Sequence, residues 1–400
     1  MGEATLPDGW VGDFDLYDPA YLDEPSSVWR AMREGCPVAR SSRRGGAVLP
    51  VRHADIAAVA RDTATFSSRA LEATGPVPRP GNELRMPPIT SDPPRHAGER
   101  KVLLPLFNRA AVAALEPGTR EAAAALVDQV AGRPTVDAAD AFARHIPIAT
   151  IAAMLDLADD DVAQFSTWIV QFLKEGPRDQ GARLAAIASI TGYFTELVRG
   201  QRPVGGGGVV AELLRRRDEE SLTEDQIVGM CFLLLVAGID TTWSAIGSSL
   251  WHLAAHPDDR RRLAAEPELL PTAVEELIRV YAPITIARVA NAPAEVGGCP
   301  VAAGERVLLP WAAANRDPAV FTDPDLVVLD RARNPHLAFG LGIHRCLGSG
   351  LARMEIRVAL EEWLRRIPEF ELDPDRPVTW TGGNVRGPES LWLQIPGSAP

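Results

Sequence analysis

The sequence predicts a mainly helical single domain over residues 1–400 that carries a small β portion. Three observations predict it. Apolar residues recur at three- and four-residue spacing through 110–131, 159–173, 182–199 and 349–366. Extended pieces are short and confined to 47–51 and 284–309, where Val289, Val296, Val301 and Val307-Leu308-Leu309 fall among Gly and Pro. One helical stretch, running from Thr223 to about His252, is much longer than the others.

Composition agrees with an ordinary globular chain. With 46% hydrophobic and 24% charged residues among 400, disorder, collagen and disulfide scaffolds are excluded. Cysteines at 36, 231, 299 and 346 are too scattered for a secreted disulfide framework. The opening residues, with Gly2, Glu3 and Pro7, lack a basic stretch followed by an apolar core, so no signal peptide is expected. The most apolar run, 230–238, is shorter than the ~20 residues that cross a bilayer, and no membrane partner is expected. A net charge of −12 argues against nucleic acid. These readings predict a soluble cytoplasmic protein. The segments 76–81 and 205–208 read as surface loops flanked by helical patterns, and no internal repeat is seen.

The long helix is the first candidate for function. Thr223-Glu224-Asp225-Gln226 forms a capping-box start, and Pro257 stops the pattern. At ~1.5 Å per residue the helix spans ~45 Å. Its middle, 231–239, is apolar on every face and is expected to run through the core. Into that middle fall Ala237-Gly238-Ile239-Asp240-Thr241-Thr242. A helix-weakening glycine beside an acid and two hydroxyls costs stability without a packing reason. A solvated turn or a satisfied polar pair is the bland alternative.

The second candidate is Phe339-Gly340-Leu341-Gly342-Ile343-His344-Arg345-Cys346-Leu347-Gly348. The glycines allow a tight turn with positive φ. Cys346 falls just before the amphipathic helix that begins near Ser349, with Arg345 beside it, which favours a thiolate metal ligand. Zinc is disfavoured because no second Cys or His pair lies at finger-like spacing. No Cys-x-x-Cys-His exists for c-type haem. Nothing nominates the base that a nucleophilic cysteine needs.

This loop resembles the cytochrome P450 signature Phe-x-x-Gly-x-x-x-Cys-x-Gly at every fixed position. Further segments resemble family motifs in the expected order. Ala237-Gly238-Ile239-Asp240-Thr241 is similar to the oxygen-activation motif, and Glu276-Leu277-Ile278-Arg279 to the Glu-x-x-Arg pair. Asp92-Pro93-Pro94-Arg95-His96 with Arg100, and 334–339, resemble soluble bacterial members. The resemblance implies the P450 fold, with its long central helix crossing over haem b (iron protoporphyrin IX).

By that resemblance Cys346 is the proximal iron ligand, Phe339 covers the sulfur, and Gly348 completes the loop. His96, Arg100, Arg288 and His344 are the implied cationic partners of the haem propionates. Glu276 and Arg279, joined by Arg331 or its rival Arg333, form a buried structural cluster that holds the cysteine loop. Asp240 relays protons and Thr241, its hydroxyl turned back toward the Ala237 carbonyl, hydrogen-bonds dioxygen. Gly238, lacking a side chain, opens a groove there.

Family topology places substrate contacts at 71–90, 168–172 and 184–190, and at Leu234, Gly238, Ile284, Thr285, Ile286, Asn384 and Val385. The lining reads mainly apolar, with Thr285 and Asn384 as polar anchors. A small hydrophobic substrate is implied, oxidised as a monooxygenase with O2. Enrichment in Ala, Arg, Pro and Gly leans toward a GC-rich bacterial gene and secondary metabolism. The resemblance fills the chain, so electrons are expected from a separate ferredoxin and ferredoxin reductase, docking on a basic strip of Arg353, Arg357, Arg365 and Arg366. A monomer is expected. Rival readings are a peroxygenase or oxidative coupling enzyme and, outside enzymes, a haem-based sensor or binding protein. Cys231 is expected to pack as a small apolar residue, whereas Cys36 and Cys299 suggest no role.

Overall fold

The structure, a computed structural model, describes residues 13–81, 83–176 and 179–396. Gly2, Glu3 and Pro7 lie outside the described residues. Helices dominate and the sheets are small, as the periodicity predicts. The chain divides into two compact units.

The first unit contains the described residues up to Leu84, Gly247–Cys346 and Arg376–Ser390. Its centre is a five-stranded sheet in the order Val38–Ser41, Ala47–Pro50, Arg306–Pro310, Thr285–Ala290, Phe66–Ser67. Neighbours are antiparallel except Ala47–Pro50 beside Arg306–Pro310, where Val48 meets Val307 in parallel. Both of these strands are buried at every position, consistent with their unbroken apolar runs. Arg306 is the exception in type. It is buried because its guanidinium donates to the carbonyls of Arg44, Ala73 and Gly75. A hairpin of Ala294–Val296 and Cys299–Val301 completes the valine-rich segment.

The second unit contains Arg85–Ile246, Leu347–Asp375 and the described residues from Leu391 onward. The helix Ser349–Arg366 packs on Arg109–Val130, and buried Trp363 meets Phe142 with ring centroids 4.9 Å apart. A three-stranded sheet of Thr135–Asp137, Trp392–Gln394 and Glu371–Leu372 lies beside them. The loop 205–208 closes around Asp156. A Cβ on Gly205 or Gly208 would overlap that side chain, so the glycines there serve close approach.

The long helix is Glu224–Ala255. The capping box is formed at its start: the Gln226 N–H donates to Thr223 Oγ1 at 3.2 Å, and the Thr223 N–H to Gln226 Oε1 at 3.0 Å. By length and composition it could cross a membrane, but 72% of its most apolar window is buried within the protein. Cys231 is wholly buried and burial pushes its thiol up to about 12, so it packs as an apolar residue.

Candidate active site

The cysteine loop of the first unit is built on its glycines. Gly340 and Gly342 have φ of +70° and +73°, a region where a side chain is strained. A Cβ on Gly342 would also stand 2.9 Å from the Ala60 carbonyl, so the turn lies directly against the helix His53–Arg61. The Cys346 N–H donates to the Phe339 carbonyl at 2.8 Å, closing the loop and leaving the thiol exposed. His344 Nε2 and Ser68 Oγ are 2.9 Å apart. In the same unit Arg288 is buried within the strand Thr285–Ala290 and donates from Nη1 to the Ala287 carbonyl at 2.8 Å.

Behind the loop lies a buried ion cluster. Glu276 and Arg279 are both fully buried and pair in bidentate fashion, Nε to Oε2 and Nη2 to Oε1, each 2.8 Å. Arg331 Nε donates to the same carboxylate at 2.9 Å, while Arg333 is exposed. The Val328 N–H and Asn334 Nδ2 add two more donors, at 2.9 and 3.1 Å. Burial pushes the Glu276 carboxyl up, yet these donors, Arg279 first, hold it below the usual carboxylate range. Arg279 in turn donates to the carbonyls of Asn315, Pro324 and Leu326. Asn315 Oδ1 accepts from the Leu337 N–H, two residues before Phe339. The cluster therefore fixes the segment that leads into the cysteine loop. Asn315 and Asn334 were not among the expected members; no spacing ties them to Glu276.

The second unit carries the other expected groups. Thr241 Oγ1 donates to the Ala237 carbonyl at 3.1 Å, the back-bond anticipated from its position. Asp240 and Thr241 are half-buried and Ala237 is exposed, so the helix middle is not buried on every face. The open face is that of Ala237. Gly238 corrects the expectation of a groove: a Cβ there would come within 2.5 Å of Ile151 Cδ1, so its missing side chain admits a neighbouring helix. On the helix Arg95–Leu103, His96 is buried and Arg100 is half-buried one turn later, hence on the same face. Glu99 there accepts from Gln226 Nε2 at 3.1 Å, tying that helix to the start of the long one.

Comparison with known proteins decides the family. The cytochrome P450 family model matches residues 208–381. Mycinamicin IV hydroxylase/epoxidase of Micromonospora griseorubida is 34% identical, covering 90% of this chain and 93% of its own. The cytochrome P450 monooxygenase PikC of Streptomyces venezuelae is 34% identical over 82% and 80%. Among solved structures, the LnmA P450 hydroxylase from the leinamycin pathway of Streptomyces atroolivaceus superposes with TM-score 0.79 at 34% identity, covering 92% and 95%. The chain belongs to the cytochrome P450 family.

This P450 is therefore an oxidoreductase of the monooxygenase type, and its family uses a haem-thiolate cofactor. The donor set fits that group: an exposed thiol on a glycine turn, with Arg288 and His344 in the same unit to meet carboxylates. The two expected polar anchors, Asn384 and Thr285, both lie in the first unit. Asn384 donates from Nδ2 to the Leu71 carbonyl and accepts from the Ala73 N–H, so its amide holds the 71–73 loop. Thr285 is buried in the strand Thr285–Ala290. Around them Ile284 and Val385 form a β-bridge and, with Ile286, stay half-buried; Leu234 is buried.

The basic strip is corrected as well. Arg357 pairs with Glu116 at 2.7 Å and Glu361 at 2.8 Å, and Arg365 and Arg366 both pair with Glu362. Arg120 joins from the facing helix onto Glu361 and Glu362. Burial opposes ionisation of Glu362, but Arg365, Arg120 and Arg366 hold its carboxyl down at about 2. These arginines bind Ser349–Arg366 to Arg109–Val130. Arg353 donates to the Ser349 carbonyl at 3.1 Å.

Proposed function

We propose that this P450 inserts one oxygen atom from O2 into a hydrophobic natural product, most simply as a hydroxylation in secondary metabolism. The observation that carries the reading is the Asp240-Thr241 pair in the long helix, with the Thr241 hydroxyl held on the Ala237 carbonyl at 3.1 Å. Support for the substrate class comes from relatives named as a mycinamicin IV hydroxylase/epoxidase and as a hydroxylase of the leinamycin biosynthetic pathway.

Haem b, with Cys346 as iron ligand, supplies the activation of O2 and the electron-transfer chemistry. Phe339 and Gly348 shape the loop around the sulfur. His96, Arg100, Arg288 and His344 bind the propionates by charge-assisted hydrogen bonds. Asp240 takes up a proton, and the Thr241 hydroxyl orients its delivery. Leu234, Ile284, Ile286 and Val385 offer the substrate apolar surface, with orientation left to shape. Electrons come from a separate ferredoxin and its reductase, and the protein works as a cytoplasmic monomer.

The carbon monoxide difference spectrum of the reduced protein tests the ligand, and Cys346→Ser must abolish the thiolate band. Screening mycinamicin IV and other hydrophobic natural products for substrate-induced spin shifts tests the pocket. Thr241→Ala must then keep consuming NAD(P)H while product falls at least several-fold; unchanged coupling overturns the proton-delivery role. Turnover with peroxide alone, faster than with O2 and ferredoxin, would favour the peroxygenase reading instead.

A further inference from the structure

We infer that Cys36 and Cys299 form an oxidant-responsive dithiol, closing to a disulfide that staples the end of one helix to a β-hairpin. Cys36 follows the helix Pro25–Gly35, and Cys299 opens the strand Cys299–Val301. Their thiols converge on one atom. Cys36 Sγ donates to the Val38 carbonyl at 3.3 Å and Cys299 Sγ donates to the same oxygen at 3.8 Å. With legs of 3.3 and 3.8 Å, the triangle through that oxygen holds the sulfurs within about 7 Å of each other. A rotation about Cα–Cβ moves a sulfur by a few ångströms, which brings bonding distance within reach of side-chain motion.

The convergence has a structural cause. Val38 and Pro50 form a non-hydrogen-bonded pair of the ladder, flanked by the Val51 N–H bond to the Pro37 carbonyl at 3.0 Å, so on this edge strand the Val38 carbonyl faces away from the sheet and the thiols supply its donors. The hairpin is seated firmly there: a Cβ on Gly297, whose φ is +54°, would come 2.7 Å from Val38 Cγ2. Cys299 is thus held over the strand and does not swing freely. Both thiols are half-buried, so a small oxidant reaches them. The other two cysteines are unsuited. Cys231 is sealed in the core, and Cys346 is the proposed iron ligand.

The oxidant is a peroxide, such as hydrogen peroxide. One thiolate attacks the O–O bond, giving a sulfenic acid and, with a proton, water. The second thiol displaces the sulfenic oxygen, which leaves as a second water, and the S–S bond forms. Two thiols lose two hydrogens, and one peroxide becomes two waters.

The test is a non-reducing peptide map of the full-length, haem-loaded protein after brief peroxide treatment and alkylation of residual thiols. One cross-linked peptide joining Cys36 to Cys299 is expected, two hydrogens lighter than its parts and released by dithiothreitol. Its formation should raise the melting temperature, and Cys299→Ser and Cys36→Ser should each abolish both effects. Recovery of both residues singly alkylated, as sulfinic acids, or in an intermolecular dimer overturns the inference. The wild-type map alone decides this, so a variant that fails to fold leaves the test intact.

Discussion

Replacing Glu355 with glutamine should flatten the pH dependence of stability between about pH 5 and about pH 8. Glu355 lies in the helix Ser349–Arg366, is 1% exposed, and has one carboxyl oxygen with no hydrogen-bond partner. Burial pushes its carboxyl from the ordinary 4.5 up to about 8, against a smaller lowering by Thr150. Thr150 Oγ1 already donates to the Ile146 carbonyl at 3.0 Å, so a protonated carboxyl provides the missing donor between them. Below pH 4.5 both the folded and unfolded chains carry this proton and it contributes no pH dependence. Between 4.5 and about 8 the unfolded chain releases it and the folded chain does not. Stability then falls by about 1.4 kcal/mol per pH unit, toward a ceiling of about 5 kcal/mol, and levels off once the folded form also ionises. The amide imitates the neutral acid and has no such slope. Urea unfolding of both proteins, followed by tryptophan fluorescence from about pH 5 to about pH 8, reads the difference directly. Glu355→Gln should be near wild type at the acid end and should gain on it steadily with pH. A constant difference across that range would mean that Glu355 is ionised in the folded state, and the reasoning would fail.

Three further outcomes follow from packing and charge. Arg331→Met should cost about 3 kcal/mol of stability and lower haem retention after heating, because it strips a donor from a fully buried carboxylate; Arg333→Met, at an exposed position, should leave both unchanged. Gly238→Ala should destabilise by about 1–2 kcal/mol despite better helix propensity, since the new methyl meets Ile151, and adding Ile151→Val should recover at least half of that in chemical denaturation. Arg353→Glu should slow first-electron transfer from ferredoxin several-fold and weaken its salt dependence in stopped-flow reduction, whereas Arg357→Gln should mainly lower the melting temperature, because Arg357 is held by Glu116 and Glu361.

Much of this P450 was legible from spacing along the chain. The capping box at Thr223, the back-bond of Thr241 and the glycine turn before Cys346 each depend on residues within a few positions of one another. Local hydrogen bonding and φ preference act at that range, so the pattern carries them. The pairing of Glu276 with Arg279 was legible for the same reason. Its third and fourth partners were not local: Arg331 came from the family resemblance, and Asn334 had no signal at all.

The misread positions share one physical origin. A glycine, an asparagine or an arginine has the same local signature whether it faces a ligand or another part of the chain. Gly238 looked like open space, but Ile151 fills it. Asn384 looked like a substrate anchor, but both ends of its amide hold residues more than 300 positions away, at Leu71 and Ala73. The arginines after Cys346 looked like a docking strip because their spacing places them on one helix face, and the acids that neutralise them include Glu116 and Asp128 on another helix. Charge complementarity between distant segments sets the net field of a surface, so a partner reads that field and not the count of arginines on one helix. The Val38 carbonyl makes the same point in the opposite direction. Two cysteines that suggested nothing in sequence meet there because the carbonyl of an edge strand faces outward and a glycine turn brings the hairpin close.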